Sequence, residues 1–265
     1  MKQRTITAIV AILLFFPFVF YSGWPFYLLI YILATIGVLE LLRMRKTTIY
    51  PIPTMFTLIL LWALLFPYTE ENPFFEFDIT KSEIILMVVL LLLAYTVLVK
   101  NKFTFDDAGF LLLSGLYVGL GFYYFMETRD ADQGLKYVFY AIVVILSTDT
   151  GAYIFGRLLG KRKLWPEISP NKTIEGAIGG MLLAAIVAIT YHTFVDLPHS
   201  YVVILIVTVL ASAVGQIGDL VESAFKRHYE VKDSGTILPG HGGILDRFDS
   251  WIFIFPFLHF IHFVS

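Results

Sequence analysis

Nine apolar runs divide this chain almost end to end, at about 6–21, 24–42, 52–67, 83–99, 107–126, 135–159, 174–194, 199–225 and 244–264. A helix that crosses a bilayer needs roughly 20 predominantly apolar residues, and lipid tolerates only segments whose backbone groups bond internally. The pattern predicts an all-α polytopic membrane protein of about nine transmembrane helices, with no sizeable soluble domain. Composition agrees, because 58% of the 265 residues are hydrophobic and 15% charged, against about 45–50% and about 25% in soluble domains. Ser22-Gly23-Trp24-Pro25, Tyr50-Pro51-Ile52-Pro53 and Asp196-Leu197-Pro198 are turn signals between runs and predict antiparallel helical hairpins. Lys2 and Arg4 give the first run the start of a signal peptide. That run is long for a signal and lacks a small-x-small cleavage pattern, so a retained helix is expected. Cysteine is absent, which excludes thiolate chemistry, disulfides and thiolate metal sites.

Lysine and arginine sort sharply between the two sides of the nine runs. The N-terminus and the joins after runs two, four, six and eight carry Lys2, Arg4, Arg43, Arg45, Lys46, Lys100, Lys102, Arg157, Lys161, Arg162, Lys163, Lys172, Lys226, Arg227, Lys232 and Arg247, sixteen of the nineteen. Only Lys81, Arg129 and Lys136 fall on the other side. The positive-inside rule then places the N-terminus and the even-numbered joins in the cytoplasm and the C-terminus outside. The outer loop Tyr68 to Ser82 is acidic and aromatic and suggests no chemistry. Residues 1–130 form an N-terminal set of helices without an assignable role. Residues 131–265 form a C-terminal catalytic region with two charged cytoplasmic segments, 157–173 and 226–247.

The informative residues are polar ones where lipid should be. Asp149 interrupts run six, and the eleven residues to Gly160 set it roughly 16 Å deep, so it must face a polar cavity. In run eight, Asp219, Glu222, Ser223 and Lys226 share one helical face. Run nine opens with Gly240-His241-Gly242-Gly243 followed by Asp246, Arg247 and Asp249. A glycine-rich approach to a helix N-terminus suits a phosphate, whereas carboxylates beside it repel one. A divalent cation between them removes the conflict. Asp219, Asp246 and Asp249 are therefore expected to hold metal, magnesium with room for a second cation, amid the bases Lys172, Lys226, Arg227, Lys232, His241 and Arg247. Acids for metal and bases for phosphates are the parts of phosphoryl or nucleotidyl transfer. The basic cluster Arg157, Lys161, Arg162 and Lys163 reads equally well as topology anchors. An ion-coupled transporter is the rival class. Gly115, Gly119, Gly176, Gly179 and Gly180 offer small-residue faces to a homodimer or to packing within one chain.

The run from Ser223 to Asp249, S-A-F-K-R-H-Y-E-V-K-D-S-G-T-I-L-P-G-H-G-G-I-L-D-R-F-D, closely resembles the signature of the CDP-diacylglycerol synthase, or phosphatidate cytidylyltransferase, family. The segment from Asp149 to Gly176 is similar to a second block of that family, with Ser169, Pro170, Lys172 and Thr173 in place. The resemblance is sharp from about 149 to 250 and only hydropathic before that. It implies a polytopic membrane enzyme that condenses CTP with phosphatidic acid, giving CDP-diacylglycerol and pyrophosphate with magnesium. The short N-terminal arm without a transit-like segment favours a bacterial plasma membrane, and the sorting of basic residues turns the active site to the cytoplasm. The resemblance implies Asp219, Asp246 and Lys226 as catalytic. Lys172, Ser169, Thr173, Ser223, Arg227, Lys232, Asp233, His241, Gly242, Gly243, Arg247 and Asp149 are implied to bind substrate. A polyprenol kinase or a CDP-archaeol synthase shares the general pattern. No nucleic-acid partner is expected.

Overall fold

The computed structural model describes residues 2–46, 50–67 and 80–264, with side chains from Thr5 onward. Most of the outer loop 68–82 lies outside the described residues. Nine α-helices are present among them: α1 (Lys2–Tyr21), α2 (Gly23–Met44), α3 (Pro51–Leu65), α4 (Lys81–Leu98), α5 (Phe105–Asp130), α6 (Gly134–Leu159), α7 (Ile174–Val195), α8 (Tyr201–His228) and α9 (Leu245–Phe260). Each coincides with one apolar run. Local chemistry sets several starts: Thr80 with Glu83 and Thr104 with Asp107 form reciprocal capping boxes at α4 and α5. Thr173 and Ser200 cap α7 and α8.

The segment after α6 departs from an all-α reading. Strands β1 (Lys163–Trp165) and β2 (Ser169–Thr173) form an antiparallel hairpin, with Lys163 opposite Thr173 and Trp165 opposite Ser169. Glu175 at the start of α7 ties it down, accepting from the backbone N–H groups of Lys161 and Arg162 at 3.1 Å each and from the Arg162 guanidinium at 3.0 Å. Arg162 therefore has a structural partner beyond any anchoring role.

Six helices, α2 and α4 to α8, are long and apolar enough to cross a bilayer. Helices α3 and α9 have 15 and 16 residues, or roughly 22–24 Å at 1.5 Å per residue, short of a hydrocarbon core of about 30 Å. Side chains such as Leu14, Trp24, Leu90, Leu98, Leu182 and Phe194 are exposed around the bundle, as lipid-facing residues must be. The protein is a multi-pass membrane protein.

The connecting segments gather at two ends. At one, Arg45 pairs with Asp107 at 2.6 Å, Lys46 donates to the Glu230 carbonyl at 3.4 Å, and Arg227 donates to the Ile168 carbonyl at 3.2 Å. This end unites the joins after α2, α4, α6 and α8. At the other, Tyr27 donates to Asp130 at 2.6 Å, Arg129 to the Val19 carbonyl at 2.6 Å, and His199 contacts the Phe263 carbonyl at 2.9 Å. The lysine-rich and lysine-poor joins thus occupy opposite ends.

An aromatic seam joins the N-terminal helices to α9: Phe125 stacks on Phe255 with centroids 4.6 Å apart, and Phe26 and Trp251 meet Phe125 edge-on. Helices α6 and α7 approach backbone to backbone. A Cβ on Gly151 would meet the Gly179 carbonyl and Gly180 Cα, each at 2.9 Å, and one on Gly180 would meet the Thr148 carbonyl at 2.7 Å. Gly115 and Gly119 likewise receive Thr57, Leu60, Leu61 and Leu64 of α3. These glycines serve packing within one chain.

Candidate active site

The end that unites the charged joins contains two linked sets of carboxylates. The first lines an open cavity of about 280 Å³ between α6, the hairpin, α7 and α8. Asp149, Tyr153, Asn171, Lys172, Gln216 and Asp219 are on its wall. Strand β2 runs straight into the capped start of α7, which holds Lys172 over α8, where its ammonium pairs with Asp219 at 2.6 Å. Both side chains remain partly exposed. Ser223, one turn along α8, donates to Asp219 at 3.4 Å.

Asp149 faces this cavity, as its depth in the sequence required. It has no bond to the neighbouring hydroxyls, because Ser147 donates to the Val144 carbonyl and Thr148 to Ser212. Its surroundings are electrostatic: Asp219, Lys172 and Arg247 all lie within charge range. Asp249 joins this group through the fields of Asp219 and Asp149, while one of its oxygens accepts from the Ser250 N–H at 2.7 Å.

The second set is closed. Asp246, at the start of α9, receives Lys226 on one oxygen at 2.7 Å. Its other oxygen accepts from the N–H of Ser234 at 2.8 Å, the Ser234 hydroxyl at 2.9 Å and the N–H of Gly243 at 2.8 Å. Lys226 also forms an ion pair with Glu222, one turn earlier on α8, whose side chain is 1% exposed. One ammonium therefore bridges two buried carboxylates, an arrangement that breaks if the cation alone is removed.

The glycine turn differs from its sequence expectation. His241-Gly242-Gly243 was expected to offer backbone N–H groups to a phosphate. The Gly243 N–H bonds Asp246 instead, and those of Ile244 and Leu245 bond Glu40 of α2 at 2.9 and 3.0 Å. Gly242 has φ of +85°, which favours glycine, and lets the turn curl over the Asp246 carboxylate. The His241 N–H is likewise taken within the chain, by the Leu238 carbonyl at 2.8 Å.

The remaining predicted residues divide clearly. Thr173 is the α7 cap, accepting from Gly176 N–H at 3.0 Å, and also lines the cavity. Ser169 opens β2 opposite Trp165. Arg227 is exposed and bound to the hairpin through the Ile168 carbonyl. Lys232 and Asp233 are exposed on the loop between α8 and α9, as is Arg247 on α9. The half-buried His241 has its Nδ1 buried with no hydrogen-bond partner. Sequence reasoning missed Glu40, Ser234, Tyr153 and Asn171. Glu40 carried a usable signal, since a lone acid inside an apolar run must be satisfied internally, as Asp149 must.

The chemistry of the donors suits a hard cation. Asp149, Asp219, Asp249, Glu222 and Asp246 outnumber the cations in their company, Lys172, Lys226 and Arg247. Among the described residues no three acids or histidines close on one point as a ready-made cage. Magnesium typically takes one or two carboxylates and completes its shell with substrate phosphates and water, so the residues present fit it.

Residues 2–265 match the family model described as the cytidylyltransferase family. The chain is 54% identical over 263 residues to the phosphatidate cytidylyltransferase of Bacillus subtilis, covering 98% of this chain and 97% of that one. It is 50% identical over 261 residues to the Staphylococcus haemolyticus protein of the same name, with 98% of each covered. The Staphylococcus aureus relative, also so named, is 47% identical over 261 residues and again 98% of both chains.

Proposed function

The chain belongs to the cytidylyltransferase family, and from that membership we infer that it transfers the cytidylyl group of CTP to phosphatidic acid, giving CDP-diacylglycerol and pyrophosphate. The observation that carries this into the site is the Lys172–Asp219 pair on the cavity wall, where the hairpin meets α8. A phosphate oxygen of phosphatidate attacks the α-phosphorus of CTP, a new P–O bond forms, and the bond to the bridging oxygen toward the β-phosphate breaks. The second pKa of a phosphate monoester is about 6, so the nucleophile is already ionised at neutral pH and needs no general base.

Positioning and electrostatics then account for most of the acceleration. Lys172 pairs with Asp219 by charge, and no hydrogen-bond acceptor among the described residues takes its ammonium, which leaves its donors for phosphate oxygens. Lys226 is held between Glu222 and Asp246 and keeps the cluster together. Arg247, exposed and within charge range of Asp149, is a further phosphate contact, and His241 has a ring nitrogen to offer. Asp219 would hold magnesium, with Asp249 supporting it or a second cation, while Asp246, whose oxygens are bonded within the chain, would shape the turn beside them. Such an ion neutralises charge on the triphosphate and on the departing pyrophosphate.

The sorting of lysine and arginine supports a cytoplasmic active site and N-terminus, with the C-terminus outside. Nine crossings fit this sidedness if α1, α3 and α9 span with help from flanking turns. The bacterial relatives support a plasma-membrane location. CTP reaches the site from water and phosphatidate from the bilayer, so the cavity must open to both. The deciding experiment supplies purified enzyme in detergent with phosphatidate, magnesium and CTP labelled in the cytidine moiety. Label is expected in the lipid fraction, and chelation should abolish it until magnesium is restored. Lipid labelled only by γ-phosphate, or not at all, overturns the assignment.

A further inference from the structure

Glu40 belongs to the half of the chain to which the sequence assigned no role. It lies on α2, its residue is 2% exposed, and among the described residues no lysine, arginine or histidine pairs with it. A carboxylate placed so deeply is costly unless donors surround it. The N–H groups of Ile244 and Leu245 do, and the Ser234 hydroxyl, 3.1 Å away, is a third donor that Glu40 shares with Asp246.

Those partners locate its influence. Helix α9 has no side-chain cap of its own, since Ile244 stands at its N-cap. Its exposed first amides are instead divided among Glu40, which takes Ile244 and Leu245, Asp246, which takes Gly243, and Ser234, whose oxygen accepts from the Asp246 N–H at 3.3 Å. Negative charge at a helix N-terminus is favourable. The Ser234 hydroxyl has one proton and lies near both Glu40 and Asp246, so it serves one acceptor at a time and couples the two. Two glycines make room for this. A Cβ on Gly235 or on Gly243 would strike the Glu40 carboxyl group.

We propose that Glu40 is a positioning residue for the reaction: from α2 it caps α9, closes the glycine turn and, through Ser234, fixes the carboxylate of Asp246. The proposal rests on the functional reading above for its kinetic consequence, and on geometry alone for its structural one. Its test pairs kinetics with hydrogen exchange on the full-length protein in detergent. Glu40→Gln keeps the volume but turns an amide NH2 toward donors. It should lower kcat by about tenfold or more, since misplacement by 1 Å can cost about 100-fold, while KM for CTP and for phosphatidate stays within about twofold. Amides 243–246 should exchange about tenfold faster, with α5 and the rest of α2 unchanged. Glu40→Asp keeps the charge and should recover part of both effects. Ser234→Ala should lower kcat as well, and combined with Glu40→Gln it should add little.

Unchanged exchange at 243–246, parental kcat in Glu40→Gln, or additive effects in the double variant would each overturn the proposal. Uniformly faster exchange throughout the protein would do so too, because it marks a general loss of stability. If the unsubstituted enzyme makes no CDP-lipid, the functional reading fails, and the exchange measurement still decides whether Glu40 holds the turn.

Discussion

The cavity around Lys172 and Asp219 and the cluster around Lys226 and Asp246 use the same chemistry to opposite ends. Both pair a lysine with an aspartate, at 2.6 and 2.7 Å. In the cavity, each partner is partly exposed and retains donors or lone pairs that no protein group takes. In the cluster, Asp246 has four donors and Lys226 two carboxylates, all from the chain itself. An ion pair with unused capacity is ready for a ligand, whereas one with its capacity filled holds a shape.

The contrast yields four predictions, of which the largest would break it outright. Asp219→Asn and Asp246→Asn should each reduce label transfer from CTP to lipid by about 100-fold or more, with the protein still folded by its helical signal. Normal turnover in both would show that neither set takes part in the chemistry.

The second prediction separates the sets by stability. Lys226→Met leaves Glu222 and Asp246 as buried acids without their cation, which should cost about 3–5 kcal/mol in thermal or denaturant unfolding in detergent. Lys172→Met, at a solvent-reachable pair, should cost less than about 1 kcal/mol. Equal losses would erase the distinction.

Third, Lys172→Met should raise KM for CTP by about tenfold, the effect of losing one charge-assisted hydrogen bond to phosphate. The smallest effect is expected at Arg227, whose guanidinium donates to the Ile168 carbonyl. Arg227→Ala should change kcat/KM by only about two- to threefold, and a much larger loss would extend the ligand-binding set to the hairpin's outer side.

Much of this architecture is legible before any coordinates. Apolar runs locate all nine helices because lipid forces every backbone group to bond locally, and the separation of basic joins anticipates which loops meet. Asp149 and Asp219 are legible as candidates for a polar cavity because charge within an apolar run is expensive. The hairpin 163–173 is not, since its strands are three and five residues long and half exposed, and its order comes from Glu175 rather than from alternation. The occupants of the glycine turn are not legible for a related reason. Its sequence specifies room for something, and only the fold reveals that the occupants are Glu40 and Asp246. Glu40 is separated from Ile244 by 204 positions, and no local pattern encodes a bond of that span.

The cap that α2 supplies to α9 bears on how this protein can be taken apart. A fragment beginning near residue 131 would contain every group assigned to substrate or metal, yet it would leave the amides of Ile244 and Leu245 without acceptors and lose the aromatic seam on α5. Dissecting the chain between α5 and α6 should therefore give an inactive piece, and co-producing the two halves should restore function only to the extent that α2 finds its place again. The part without chemistry is the mould in which the reactive part sets.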